Sequence, residues 1–246
     1  MALLKAENIS VQFDNRQILN NVSISLNEGE LVSILGVSGS GKTTLFNVIA
    51  GLLVPDSGTV ILDNNDITGQ SGHMSYMLQK DLLLPYKTIL DNVALPMIIK
   101  GMSRKEARMR ADSHFQEFGL DGTQSKYPHQ LSGGMRQRAA LLRTYMFSDR
   151  IALLDEPFSA LDTLTKSNMH RWYMNIMKQI NLSTLFITHD IDEAILLSDR
   201  IYILSQSPAA ITEEIVIASS DVRHENLLVS ENFLHYKKRI INAIGD

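Results

Sequence analysis

Residues 36–43 read Gly-Val-Ser-Gly-Ser-Gly-Lys-Thr, and no other stretch constrains the fold as strongly. The octet fits the pattern G-x-x-x-x-G-K-S/T. Before it, Leu-Val-Ser-Ile-Leu (31–35) has the apolar makeup of a buried parallel strand. After it, Lys42 to Ala50 reads as a helix, with Gly51 as its stop. Strand, glycine-rich loop and helix in that order place a helix N-terminus behind a curl of backbone N–H groups, which is an anion site. Gly39 and Gly41 let the backbone curl, and Gly36, Ser38, Ser40 and Thr44 complete the expected binding set. Lys42 is expected to supply a cation to the β- and γ-phosphates, and Thr43 a hydroxyl to Mg²⁺.

A second element suits the first. Ile151–Asp155 is an apolar strand that ends in two acids, Asp155 and Glu156. Ligands of parallel α/β sheets bind at the carboxyl ends of strands. Asp155 is expected to hold Mg²⁺, directly or through water, and Glu156 to polarise an attacking water. A third element, Leu131-Ser132-Gly133-Gly134-Met135, opens a long expected helix: Ser132 can cap it, and the two glycines permit close approach to a ligand.

Strand–helix alternation surrounds these elements. Strands are expected at 3–13, 17–26, 31–35, 59–63, 151–155, 183–188 and 200–205. Helices are expected at 42–50, 88–100, 103–118, 132–147, 163–180, 191–197 and 230–244. The block from about 88 to 148 is almost wholly helical, so it reads as an insertion into a parallel α/β sheet. The 246 residues carry no cysteine, which excludes disulfides, zinc–cysteine sites, iron–sulfur clusters and thiol catalysis. Twenty-three Lys and Arg against 27 Asp and Glu argue against a protein that coats nucleic acid. No apolar run approaches a membrane span, and the first residues do not read as a signal peptide, so a soluble, cytosolic chain is expected.

The order of these motifs resembles the ATP-binding subunit of an ATP-binding cassette (ABC) transporter over nearly the whole chain. GVSGSGKT is similar to that family's Walker A motif, LSGGM to its signature, IALLDE to Walker B and Ser159–Asp162 to its D-loop. Gln79 matches the Q-loop glutamine, His189 the switch histidine, and Phe13 falls where the family places an aromatic that stacks on adenine. Met135 stands where Gln is more usual, and Phe13 where Tyr is commoner.

The resemblance implies a P-loop NTPase core with a parallel sheet, an N-terminal antiparallel β subdomain and an inserted α-helical subdomain. The whole chain would be one domain, with 1–87 and 149–246 as the core and 88–148 as the helical part. It implies ATP and Mg²⁺, and a head-to-tail dimer with each ATP between the P-loop of one chain and Ser132–Gly134 of the other. Gln79 would sense Mg²⁺ and the water, His189 would hold the γ-phosphate and orient Glu156, and Asp162 would contact the opposite subunit. The dimer would pair identical ATPases or two paralogues.

Leu131 follows Gln79 by 52 residues, which leaves no room for the coiled coil of DNA-repair relatives. The chain ends 57 residues after His189, too soon for the regulatory domain of sugar-importer subunits. Residues 79–96, QKDLLLPYKTILDNVALP, resemble the nitrate, sulfonate, taurine and thiamine-precursor importer group, with Tyr86 in place of the usual Trp. The implied role is an energy-coupling ATPase for a small anionic or thiamine-precursor-like solute. It would bind an integral-membrane permease through the segment after Gln79, on the inner face of the cell membrane, and serve a solute-binding protein indirectly. An exporter ATPase, a soluble non-transport ABC ATPase and a small-molecule kinase are the alternatives. Leu82–Leu84 either form an exposed docking patch with Pro85 or pack internally, and Tyr86 is expected to be exposed. Tyr236–Arg239 is read as a solvated helix face, with contact to anionic lipid as the alternative.

Overall fold

A computed structural model describes residues 2–148, 150–159, 161–206, 208–218 and 230–245. The chain divides into two compact units, residues 1–73 with 182–246, and residues 74–181.

The first unit begins with two long strands, β1 (Ala2–Phe13) and β2 (Arg16–Asn27), paired antiparallel. Asp14 and Asn15 turn the chain between them with φ of 46° and 62°, a left-handed geometry that Asp and Asn tolerate better than most residues. β4 (Ser57–Leu62) pairs with the other edge of β1, and the two-residue β5 (Asn65–Asp66) pairs with β4. A separate sheet centres on β3 (Leu31–Leu35), four of whose five residues are buried. Parallel β8 (Ser183–Thr188) and β9 (Arg200–Leu204) flank it, and β10 (Ile211–Val216) adds antiparallel to β9. Helix α1 (Lys42–Ile49) leaves the C-terminal end of β3 through the loop 36–41. Helices α6 (Ile191–Leu197) and α7 (Glu231–Gly245) complete the unit. Their apolar faces close a core of Leu35, Ile195, Ile201, Ile203, Phe233 and Ile240.

Among the described residues, the second unit holds two parallel strands, β6 (Ser75–Met77) and β7 (Ile151–Asp155), four α-helices and a 3-10 turn at Pro128–Gln130. The α-helices are α2 (Ile89–Ile99), α3 (Arg104–Asp112), α4 (Gly133–Phe147) and α5 (Thr163–Ile180). The segment 88–148 lies wholly inside this unit.

The helix expected over 103–118 is shorter. Ser103 caps it as expected, but α3 ends at Asp112 and gives way to tight turns that end at Gly119, where φ is 65°. The Ser113 hydroxyl donates to the Arg110 carbonyl, and such a local bond competes with helix propagation. Burial of Phe115 and Phe118, both fully covered, favours the turned path. Strands β5, β6 and β10 were not expected; the first two are only two and three residues long. Lys237 and Arg239 pair with Asp192 and Glu213, so the basic run 236–239 is largely spent on packing α7. Among the described residues, no helix is long and apolar enough to cross a membrane.

Candidate nucleotide-binding site

In the first unit the loop 36–41 is shaped by its glycines. Gly39 and Gly41 have φ of 80° and 92°, where a side chain is strained. At Gly41 a Cβ would also come within 3.0 Å of the Leu19 side chain on β2. Gly36 has ordinary backbone angles but no room: a Cβ there would lie 2.9 Å from the Leu204 carbonyl oxygen and from Ser40 Oγ. Ser40 is buried, whereas Ser38, Gly39 and Thr43 are exposed and Thr44 is half-buried.

Among the described α-helices, the start of α1 differs from the others. Thr88, Ser103, Ser132, Asp162 and Asp190 each accept a backbone N–H at the N-termini of α2 to α6. Ser230 does the same for α7. Helix α1 begins at Gly41, with no side-chain cap and no acid in its first turn. At this terminus the chain therefore sets neither a capping side chain nor a first-turn acid against the positive end of the helix dipole. Lys42 is almost fully buried, and its Nζ donates to the carbonyls of Gly36 (2.8 Å) and Val37 (2.7 Å). A cation, an open helix terminus and a backbone without room for side chains suit a polyphosphate.

Two further expected residues lie in this unit. His189 is exposed directly after β8, and Asp190 caps α6 through the N–H groups of Asp192 and Glu193. Phe13 ends β1 and keeps 46% of its surface exposed, so the sheet does not absorb the ring.

The second unit carries the acids. Asp155 ends β7 and is buried. Burial raises the pKa of Tyr76, on neighbouring β6, and the Asp155 charge raises it further. Glu156 follows with φ of 45°. A non-glycine residue held there costs about 1–3 kcal/mol. The turn that follows over-determines it, because the Glu156 carbonyl accepts from both the N–H (3.2 Å) and the hydroxyl (3.0 Å) of Ser159. The strained turn redirects the Glu156 carboxylate, which accepts a 3.0 Å hydrogen bond from Gln79 Nε2. Two residues 77 apart in sequence are thus brought together.

Ser132 caps α4 by accepting from Met135 N–H at 3.3 Å. A Cβ at Gly133 or Gly134 would make only ordinary contacts of 3.4 Å with Leu161 or Thr165. Packing within this chain therefore does not demand glycine there, although each costs a helix up to about 1 kcal/mol relative to Ala. Asp162 caps α5 through Thr165 N–H at 3.1 Å. Ala160, in the expected D-loop, lies outside the described residues.

The segment after Gln79 resolves the two readings of its leucines residue by residue. Leu82, Pro85 and Tyr86 are exposed, Leu84 is half-buried and Leu83 is buried. This knuckle is held by a residue that sequence reasoning missed. Asn92 is fully buried on α2. Its Oδ1 accepts from Leu84 N–H (2.7 Å), and its Nδ2 faces the carbonyls of Leu84 (3.1 Å), Lys87 (3.2 Å) and Thr88 (3.0 Å). The signal was present: Asn92 shares the buried face of α2 with Ile89, Val93 and Met97. A polar residue on an apolar face needs internal partners.

Among the described residues, no three His, Cys, Asp or Glu side chains form a metal-binding group. A Mg²⁺ ion does not require one, because it usually keeps waters and phosphate oxygens and takes one or two protein ligands. The residues expected at the metal, Thr43, Gln79 and Asp155, carry hydroxyl, amide and carboxylate oxygens, the hard type that Mg²⁺ prefers.

Comparison with known proteins points the same way. The ABC transporter family pattern matches residues 19–159. The formylaminopyrimidine import ATP-binding protein ThiZ of Halalkalibacterium halodurans is 47% identical over 207 residues, 84% of this chain and 81% of that protein. The taurine import ATP-binding protein TauB of Yersinia pestis is 36% identical over 213 residues, 87% of this chain and 84% of that one. Among solved structures, a dimeric ATP-binding cassette in a post-hydrolysis state with ADP and Pi aligns with a TM-score of 0.73 and 30% identity. That alignment covers 88% of this chain and 99% of the other.

Proposed function

Since the chain belongs to the ABC transporter family, as an ATP-hydrolysing cassette, we propose that it is the energy-coupling ATPase of an importer for a small anionic or thiamine-precursor-like solute. The observation that carries the proposal is the start of α1 behind Gly36–Gly41, which has no side-chain cap, with Lys42 buried as the first residue of that helix. The 47% identity to a formylaminopyrimidine import protein supports the solute class.

In this reading the N–H groups of residues 39–44 and the Lys42 ammonium bind the β- and γ-phosphates of ATP, with Gly36, Ser38 and Ser40 shaping the loop and the exposed Phe13 ring stacking on the adenine. Thr43, Gln79 and Asp155 would hold Mg²⁺, which would supply charge neutralisation at the phosphates. Glu156 accepts a proton from the attacking water and Gln79 orients that water. His189 donates a hydrogen bond to the γ-phosphate and orients Glu156. Ser132, Gly133 and Gly134 receive the γ-phosphate of the ATP bound by a partner ATPase, identical or paralogous, and Asp162 meets that partner. The need for a partner's phosphate explains two glycines that this chain's own packing does not require.

Residues 1–87 and 149–246 act as the core and 88–148 as the helical part of one domain. The exposed Leu82, Pro85 and Tyr86 dock an integral-membrane permease, and the solute-binding protein is served only through it. The chain then works in the cytoplasm, peripheral to the inner face of the membrane, without nucleic acid.

Glu156→Gln removes the base and keeps the shape. Sedimentation with saturating ATP is expected to show a stable dimer, and a monomer under those conditions refutes the sandwich. Purification of the tagged chain from detergent-solubilised native membranes is expected to bring a stoichiometric multi-span permease. Ribosomal proteins in its place refute the importer reading.

A further inference from the structure

The turn just beyond Gln79 is held by two arginines of α4, and neither has a part in the reading above. Arg143 donates from Nη1 to the Leu82 carbonyl at 2.7 Å and from Nη2 to the Asp81 carbonyl at 2.5 Å. Arg136, two helical turns earlier and so on the same face of α4, pairs through Nε with Asp81 Oδ2 at 3.3 Å. Arg136 also donates from Nη1 to the carbonyl of Leu131, the residue before the helix cap. Asp81 spends its other oxygen inside the turn, accepting from Leu83 N–H at 3.1 Å. Leu82 is held at φ 45° and stays exposed, whereas Leu83 is buried. A left-handed leucine is unfavourable unless its surroundings enforce it, and here a two-pronged guanidinium grips the carbonyls on both sides of the strained residue.

The contacts form one continuous series within the second unit. Glu156 is bonded to Gln79, Gln79 lies two residues before Asp81, Asp81 is paired with Arg136, and Arg136 is bonded to Leu131 beside Ser132. Arg143 fixes the backbone on which the middle of the series rests. Burial disfavours the Arg143 cation, and the Asp81 charge offsets part of that cost.

We propose that Arg136 and Arg143 are positioning residues for ATP turnover: they lock the Asp81–Leu83 turn so that Gln79 stays against Glu156, and they tie that pair to the Leu131–Gly134 loop of the same chain. The inference rests on the roles given above to Gln79 and Glu156. A misplacement of about an ångström at such a group lowers turnover by up to about a hundredfold without removing any reacting atom. Most of the contacts given above to the nucleotide fall to the Lys42 loop in the other unit, so affinity for ATP is expected to change far less than turnover.

The test is a double-mutant cycle on the purified chain, with steady-state ATP hydrolysis and nucleotide affinity measured on each variant. Asp81→Ala and Arg136→Ala are each expected to lower kcat about tenfold, with KM for ATP within about twofold of the parent. The double variant is expected to lose no more than either single, and the reversed pair, Asp81→Arg with Arg136→Asp, to recover only part of the loss, because it restores the ion pair but not the Leu83 and Leu131 bonds. Arg143→Lys is expected to behave like Arg143→Ala, because an ammonium does not reproduce the planar two-pronged grip. Single losses that multiply in the double variant, unchanged kcat, or nucleotide affinity that falls together with kcat would each overturn the proposal. Gln79→Ala and Glu156→Gln serve as references. If these two keep parental turnover, the reading of the site has failed. If they lose it while the cycle is additive, only the lock has failed.

Discussion

Asn92 offers the sharpest test of how the exposed knuckle is built. Its amide makes one acceptor bond at 2.7 Å and faces three carbonyls at 3.0–3.2 Å. Two N–H groups are shared among those three carbonyls, so the side chain makes about three effective hydrogen bonds. At about 1 kcal/mol each, Asn92→Ala is expected to destabilise the chain by about 3 kcal/mol. For a chain of this size that lowers the melting temperature by about 6–12 °C. Asn92→Asp is nearly isosteric and keeps the acceptor for Leu84 N–H, but turns a carboxylate toward three carbonyl oxygens. That surrounding disfavours the charged form and raises the pKa of the introduced acid above its unfolded value of about 3.9. An acid whose folded pKa is raised incurs no penalty below the unfolded value. The penalty grows as pH rises from there to the folded pKa and is constant above it. Calorimetry of both variants from about pH 4 to about pH 8 is therefore expected to show Asn92→Ala offset by a constant amount from the parent, and Asn92→Asp falling further behind as pH rises. A melting temperature for Asn92→Ala within about 2 °C of the parent, or a flat gap for Asn92→Asp, would refute this account of the knuckle.

Other substitutions probe the remaining parts. Gly41→Ala places a side chain at φ 92° and 3.0 Å from Leu19, so ATP affinity by calorimetric titration is expected to fall at least about tenfold; unchanged affinity would contradict the steric argument. Ser132→Ala removes the cap of α4 and is expected to cost about 1 kcal/mol in urea unfolding. Gly134→Ala is expected to leave stability equal or higher by up to about 1 kcal/mol, while ATP-driven dimerisation of the Glu156→Gln background falls; unimpaired dimerisation would remove the reason given for that glycine. Arg200→Met takes from Glu30 the cation that meets it through Nε and Nη2 at 2.9 Å each, leaving only the Asn27 bonds, and takes the 2.9 Å bond from Glu214. Burial disfavours the Arg200 cation, but Glu30 and Glu214 outweigh it and hold its pKa above the ordinary value. A loss of about 3 kcal/mol is expected, with ATP affinity unchanged.

Strand β3, its loop and α1 were legible in the sequence because each depends on neighbours only a few positions away. Gly39 and Gly41 announce a backbone that side chains cannot follow, and the apolar run before them announces a buried strand. Helix starts were legible where Ser103 and Ser132 supply a local cap. The same local logic failed for β6, whose three residues carry too little pattern and owe their pairing to β7, 76 positions away. It also ran the 103–118 helix too far, because burial of Phe115 and Phe118 decides the path there. Asp155 and Glu156 could be named from a strand ending in acids, but the Gln79–Glu156 bond depends on a left-handed turn closed by Ser159. Arg136 and Arg143 look like ordinary helix arginines until α4 is set beside the turn at Asp81. Sequence alone determined what short-range geometry encodes: a glycine loop ahead of a helix, a strand that ends in acids, and the helix caps. Tertiary structure alone decided which polar groups meet across long separations, because those hydrogen bonds exist only after burial has brought their segments together and removed competing water.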